Sequence, residues 1–209
     1  VAVKLTERTG QQALVDPRPG GSGIIAAELV LKAPADGYTL MVGTSSTHAI
    51  SVSTNRNLPY HPVRDFTPVS KIAVVPMLMT VHPSVPVKNA KEVIAFARAR
   101  PGQIAFATAG VGTTGHLAGE LFKSMARVDI LHVAYRGSPQ ALIETVAGQV
   151  SMAISPMLTS LPHARAGKLR PLGVTTPRAS PTAPEVPPLA VAAGLPGYEA
   201  TLWYGLFAP

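Results

Sequence analysis

The segment Ile104–Phe122, IAFATAGVGTTGHLAGELF, leaves this chain few folds to choose from. Ile104–Thr108 reads as a short buried strand, Gly110 and Gly112 as a turn, and Leu117, Leu121, Phe122 and Met125 recur at helical spacing. A strand that feeds a helix through a glycine turn is the building unit of an α/β protein. The junction is also a receptor for anions. The first amides of a helix lack internal partners and its dipole is positive there. Glycines admit a ligand to the backbone, and threonine hydroxyls add donors. Thr113 and Thr114 therefore either cap the helix or join Gly112 in holding a carboxylate or phosphate. No Gly-Lys-Ser/Thr follows, which excludes a P-loop. The glycine spacing does not fit a dinucleotide fingerprint either.

The same alternation runs along the chain. VAVKLTERTG reads as a helix end stopped by Gly10, Ala13–Asp16 as a short strand, and PRPGGSG as a loop that delivers a helix through Ala33, with Ser22 as its cap. Tyr38–Gly43 reads as a buried strand opening onto Thr44, Ser45, Ser46, Thr47 and His48. Open α/β sheets bind ligands at the carboxyl ends of strands, so this cluster is either a second ligand turn or a cap for a helix starting near His48. Two extended runs, Val69–Val75 and Pro76–Val81, follow a proline-rich connection. Asn89 with Glu92 then makes a capping box. Ile130–Tyr135 ends in Arg136, Gly137 and Ser138, with Ser138 as cap and Pro139 in the first turn of the next helix; Val150–Ile154 and Arg170–Thr175 are further strands. Alternation of this kind implies parallel sheets covered by helices on both faces. Proline-containing crossings near Thr80–Pro86 and Thr175–Pro188 divide the chain into two α/β domains, residues 1–82 with 183–209, and an inserted 83–182.

Charge narrows the partners. Basic residues exceed acidic ones, 18 to 11, for a net charge of +7, but they are scattered, and aromatics make up only 5%. That pattern argues against nucleic acid and for a diffuse field that draws small anions. There is no cysteine, no apolar run long enough to span a bilayer and no signal peptide within the chain. A start at Val1 inside a helix and a stop at LWYGLFAP suggest a piece cut from a longer precursor at both ends.

Six stretches in one order carry a resemblance: RPGGSGIIAAELVLKAPADGYTLMVG, LPYHPVRDFTPV, ATAGVGTTGHLAGELF, HVAYRGSPQALIETVAGQV, AGKLRPLGVTTPRAS and EVPPLAVAAGLPGYEATLWYGLFAP. Together they resemble the Bug-type extracytoplasmic receptors of tripartite tricarboxylate transporters. The resemblance implies a periplasmic binding protein fold of type II, with a ligand cleft between two α/β domains. It implies no chemistry and no cofactor. The ligand would be a small carboxylate, delivered to membrane permease subunits by a monomeric periplasmic protein that is not membrane-embedded. By position, Ser45, Ser46 and His48 would face the cleft from one domain. Thr108, Gly112, Thr113, Thr114 and His116 would face it from the other, beside Arg136, Gly137 and Ser138. Where many members carry an acidic residue, this chain has Ser155-Pro156, which favours a plain carboxylate over an amino acid.

Single residues keep two readings. His116 either bonds a ligand or packs as a neutral imidazole, and Arg136 either clamps a carboxylate or lies solvated. His61, His82, His132 and His163 show no metal-ligand spacing, and no serine has an evident relay. The rival functions on such a fold are an effector domain of a regulator and an enzyme.

Overall fold

The computed structural model describes residues 1–209. Helices α1 (Ala2–Thr9) and α2 (Ile24–Leu31) precede strand β1 (Met41–Thr44), and the short helix α3 (Ser51–Thr54) leads to β2 (Thr67–Val81). Then come α4 (Ala90–Ala99), β3 (Ala105–Thr108), α5 (Thr114–Ala126), β4 (Leu131–Ala134), α6 (Ser138–Val146) and β5 (Met152–Pro156). Helix α7 (Met157–Arg165), β6 (Arg170–Val174), α8 (Leu189–Ala192) and β7 (Thr201–Ala208) complete the order. Ala13–Asp16 forms no strand, and Leu14 and Val15 are exposed there.

The seven strands run β1-β7-β2-β5-β3-β4, with β6 also paired to β2. Pairing is mixed rather than parallel. Strand β3 is parallel to β4 and β5, but β2 is antiparallel to β5, β6 and β7, and β1 is antiparallel to β7. The difference originates in β2. The two runs read separately at Val69 and Pro76 are one strand of 15 residues. Its first part, to Pro76, pairs with β7, and Met77–Val81 lies between β5 and β6. Pro76 cannot donate to a ladder, and it sits where one partner gives way to the next.

The largest core cluster packs α4, α5 and Tyr198 against β2, β3 and β5 through Met79, Phe106, Phe122, Met152 and Ile154. Burying each large side chain of this kind contributes about 1.5–3 kcal/mol. Helix α5 docks differently from its sequence pattern. Leu117 and Leu121 are 37% and 36% exposed, and the buried face is Gly115, Ala118, Gly119, Phe122 and Ala126. Small residues face the sheet because the helix lies close against it. A Cβ at Gly115 would come within 2.6 Å of the Ile154 carbonyl oxygen, and one at Gly119 would overlap the Phe106 ring. The capping box of α4 forms with a shift. Asn89 accepts the Glu92 amide at 3.0 Å, while the Glu92 carboxylate reaches the amide of Lys88.

Candidate functional site

A cavity of about 290 Å³ lies where four loops converge over the strands that cross between the two parts of the sheet. Its walls are the 18–23 loop, the end of β1 with the turn after it, and the N-termini of α5 and α6. Met77, Ile154, Leu202 and Tyr204 line it from β2, β5 and β7. Of the residues singled out in the sequence, Ser46, Thr113, Thr114, Arg136, Gly137 and Ser138 line the cavity, while Ser45, His48, Thr108, Gly112 and His116 do not.

The 108–116 junction is built from both sides. Thr113 is the N-cap of α5, its Oγ1 accepting the His116 amide at 3.4 Å and donating to the Gly110 carbonyl at 2.7 Å. Gly110 and Gly112 have φ of 141° and 75°, a region that disfavours any side chain. Behind the loop, His116 Nδ1 accepts the Gly112 amide at 3.2 Å, and the His116 ring lies 4.2 Å from that of His132. His132 Nε2 meets Thr108 Oγ1 at 2.7 Å, and the same hydroxyl bonds the backbone of Gly110. Burial lowers the pKa of both rings. That of His132 falls to about 4, with the neighbouring His116 charge as a second cause. The rings are therefore neutral near pH 7, and Thr108, Gly112 and His116 buttress the loop from its rear.

The turn after β1 takes another route. Ser46–Ile50 is a π-turn, a widened helical turn frequent at functional sites. It sends Ser45 Oγ to Thr114 Oγ1 at 2.8 Å and Ser46 Oγ to the Thr114 amide at 3.2 Å. His48 points away from the cavity. Its ring stacks on Phe207 at 3.8 Å and meets the edge of Phe66 at 4.9 Å. Its Nδ1 bonds Thr47 Oγ1 at 2.8 Å, its Nε2 is buried without a partner, and burial lowers its pKa to about 4.

Sequence reasoning missed two parts of the lining. One is the 18–23 loop. Arg18 lines the cavity while ion-paired to Asp16 at 2.9 Å, and Ser22, at φ 55°, donates across the mouth to the Val111 carbonyl at 2.6 Å. The glycines of PRPGGSG were the available signal, the same one that marked Gly110–Gly112. The other is the apolar wall, whose residues look like ordinary strand core. Ser155 is fully buried beside the cavity, and Pro156 lines it. Electrostatically the lining carries two guanidiniums, Arg18 and Arg136, and no Asp or Glu. Helix α6 adds its N-terminus, since its cap is Gly137 and no side chain satisfies its first amides.

A mixed sheet of this kind, with a loop-walled cavity over its crossing strands, is the fold of a two-domain periplasmic binding protein. The chain belongs to the tripartite tricarboxylate transporter receptor family, whose model matches residues 1–209. It is 40% identical over 209 residues to the protein from the tcbD-tcbE intergenic region of a Pseudomonas species, covering all of this chain and 62% of that relative. Among solved structures it is similar to R. palustris Rpa4515 with adipate, at 43% identity and a TM-score of 0.96, covering 100% of this chain and 69% of that one. It is also similar to MatC of Rhodopseudomonas palustris with bound malate, at 31% identity and a TM-score of 0.92, covering 100% of this chain and 70% of that one. The chain thus spans little more than six-tenths of the relative's length.

Proposed function

We propose that the protein is an extracytoplasmic solute receptor that binds a small carboxylate in this cavity and passes it to a membrane transporter. The observation that carries the reading is the charge of the lining, two arginines with no acidic side chain. A carboxylate leaving water needs fixed donors to offset its desolvation. Arg136, Ser138 and the open N-terminus of α6 supply them on one side, and opposite them lies the Gly115 amide, the one amide of the first turn of α5 that is not already bonded within the protein. The carboxylates seen in Rpa4515 and MatC, adipate and malate, support the same ligand class. Ser46 and Thr114 stand at the cavity's edge and join its two walls, whereas Ser45, Thr108, Gly112 and His116 act on ligand indirectly, by holding the loops. His48 serves the packing of the β1 turn.

The two-lobe division, 1–82 with 183–209 and 83–182, is part of this proposal. It is supported by the exchange of strand partners between Pro76 and Met77. Placement in the periplasm and delivery to permease subunits by a monomer extend what the family does. The test is calorimetric. Mass spectrometry of the denatured protein identifies what it carries, and titration with that acid should show affinity falling about 30-fold or more in Arg136→Ala. Unchanged affinity in Arg136→Ala and in a Thr113→Ala/Ser138→Ala pair would remove the site assignment.

A further inference from the structure

Strands β1 and β7 bring two hydroxyls to the cavity that the charged end does not account for. Thr44 and Tyr204 are register partners in the antiparallel pair, so their side chains stand side by side on one face of the sheet, and both line the cavity. Other hydroxyls of the lining are committed to the protein. Ser22 donates to the Val111 carbonyl, Thr113 to the Gly110 carbonyl, and Ser46 and Thr114 bond each other. The bonds between Thr44 and Thr47 use the Thr44 backbone amide and carbonyl, which leaves the Thr44 hydroxyl free. Tyr204 Oη has no protein partner either and, unlike His48 Nε2 and Ser155 Oγ, it is not sealed from solvent. Burial raises the Tyr204 pKa above its ordinary value of 10.0, so at neutral pH the phenol is an uncharged donor. This pair and the Arg136–Ser138 loop enter from opposite ends of the sheet, since β1 and β7 begin the strand order and β4, which leads into Arg136, ends it.

From this arrangement we infer that Thr44 and Tyr204 form a second recognition station, which bonds an oxygen atom of the ligand remote from the carboxylate held at Arg136, and that Tyr204 sets the preference for acids that carry one. The inference rests on the carboxylate reading above and deepens it. Each hydroxyl both donates and accepts, so the station takes a hydroxyl, a carbonyl or a second carboxylate and demands no charge. A ligand that ends there in a methyl group displaces water from both hydroxyls and returns nothing, and a polar group left unpaired in this way is costly. A site built around hydroxyls therefore discriminates against the analogue that lacks the matching group. Arg18 also lines the cavity, paired to Asp16, and can meet a second carboxylate. Hydroxy acids, which carry no second charge, therefore isolate the contribution of the hydroxyl pair.

Matched acids test this by calorimetry on the full chain, freed of ligand. Three series each share a carbon count: butyrate, 4-hydroxybutyrate and succinate; pentanoate, 5-hydroxypentanoate and glutarate; hexanoate, 6-hydroxyhexanoate and adipate. At whichever length binds, the two acids with a second oxygen group should bind about tenfold or more tightly than the plain monoacid, the scale set by leaving a polar group unpaired. In Tyr204→Phe the ratio of hydroxy acid to monoacid should fall below about threefold, and Thr44→Val should lower it in the same direction. A loss of packing would weaken all three acids alike and leave that ratio standing, so the ratio reports recognition rather than fold. A ratio unchanged in both folded variants, or a monoacid that matches its partners in the wild type, overturns the station while leaving the carboxylate site in place. If none of the nine acids binds, this inference falls. If Arg136→Ala also leaves the affinity for the co-purifying acid unchanged, the carboxylate reading falls with it.

Discussion

The turn at 44–51 and the junction at 108–116 have nearly the same ingredients, a strand end, a run of Ser or Thr, a histidine and a helix, yet they do opposite work. The second turns through glycines at positive φ to a threonine N-cap, so it brings the start of α5 to the cavity. The first has no glycine after Gly43 and keeps right-handed helical angles from Ser45 through Ser51. Its π-turn aims hydroxyls at Thr114, so it braces the other junction rather than competing with it for ligand. Glycine placement, more than hydroxyl count, decides which turn offers donors and which one supports. Both histidines face inward for the same reason: a neutral imidazole is a compact, partly apolar ring that fills the space behind a loop.

The contrast breaks most sharply in the helices that follow. Helix α5 lies against the sheet through Gly115 and Gly119, whereas Ala49 of the β1 turn is exposed. Gly119→Leu should therefore cost about 3 kcal/mol, since the Phe106 ring it would overlap is itself buried in the main core. Ala49→Leu should change stability by less than about 0.5 kcal/mol. Urea unfolding midpoints of the two variants make the comparison, and equal losses would mean that the junctions are not asymmetric at all.

Acid should act next. His48 and His132 both have folded pKa values near 4 against 6.5 for the free side chain, mainly through burial. As pH falls below about 6.5 the unfolded chain takes up protons that the folded rings refuse, so stability drops between about pH 6.5 and about pH 4 and levels off below. Above about 6.5 these rings contribute no pH dependence. Around His116 and His132 the facing charges are Glu120 and Lys123, themselves paired at 2.9 Å. Thermal midpoints measured from pH 7.5 to 4 should fall more gently in His48→Leu and in His132→Leu than in the parent. If neither substitution flattens the slope, the buried rings are not its source.

The two rings should also part company at neutral pH. Leucine at 116 strands the Gly112 amide, in a glycine that is itself buried, and should cost about 1–2 kcal/mol. Leucine at 48 gives up one bond to Thr47 but also removes a buried nitrogen that has no partner, so the net change should stay within about 1 kcal/mol. Chemical denaturation at pH 7.5 separates the cases, and a larger loss at 48 would reverse the assignment of support and brace.

How far the sequence foretold this depends on range. Junctions within a few residues were legible. The strand, glycine turn and N-cap at 104–116 follow from local chemistry alone, and so does the start of α6 beside Pro139, although its cap is Gly137 rather than Ser138. The family resemblance carried the type of fold. What could not be read was set by distant partners. Whether Pro76 ends a strand or sits inside one depends on β7, β5 and β6 changing places beside it. Whether Leu117 or Gly119 faces the core depends on Phe106 lying across from it. The direction of His48 depends on Phe66 and Phe207, and Arg18 became a lining residue because the loop carrying it folds over the cavity. Apolar residues such as Ile154 and Leu202 carry no mark that tells a cavity wall from a core.

The smallest effect sharpens the comparison best, because two terms oppose each other at Ser22. This residue holds a left-handed φ of 55°, which a non-glycine residue adopts at some cost, while its hydroxyl bonds the Val111 carbonyl at 2.6 Å across the mouth. Ser22→Ala removes the bond and keeps the strain, so stability should fall by about 1 kcal/mol. Ser22→Gly removes both, and relief of the backbone should return most of that loss, leaving a net change under about 0.5 kcal/mol. Neither variant alters Arg18 or Arg136, so affinity for the ligand should weaken by a few-fold at most. Should glycine instead be as harmful as alanine, the left-handed backbone stores no strain and the hydroxyl bond alone ties the 18–23 loop to the junction that the β1 turn braces from the other side.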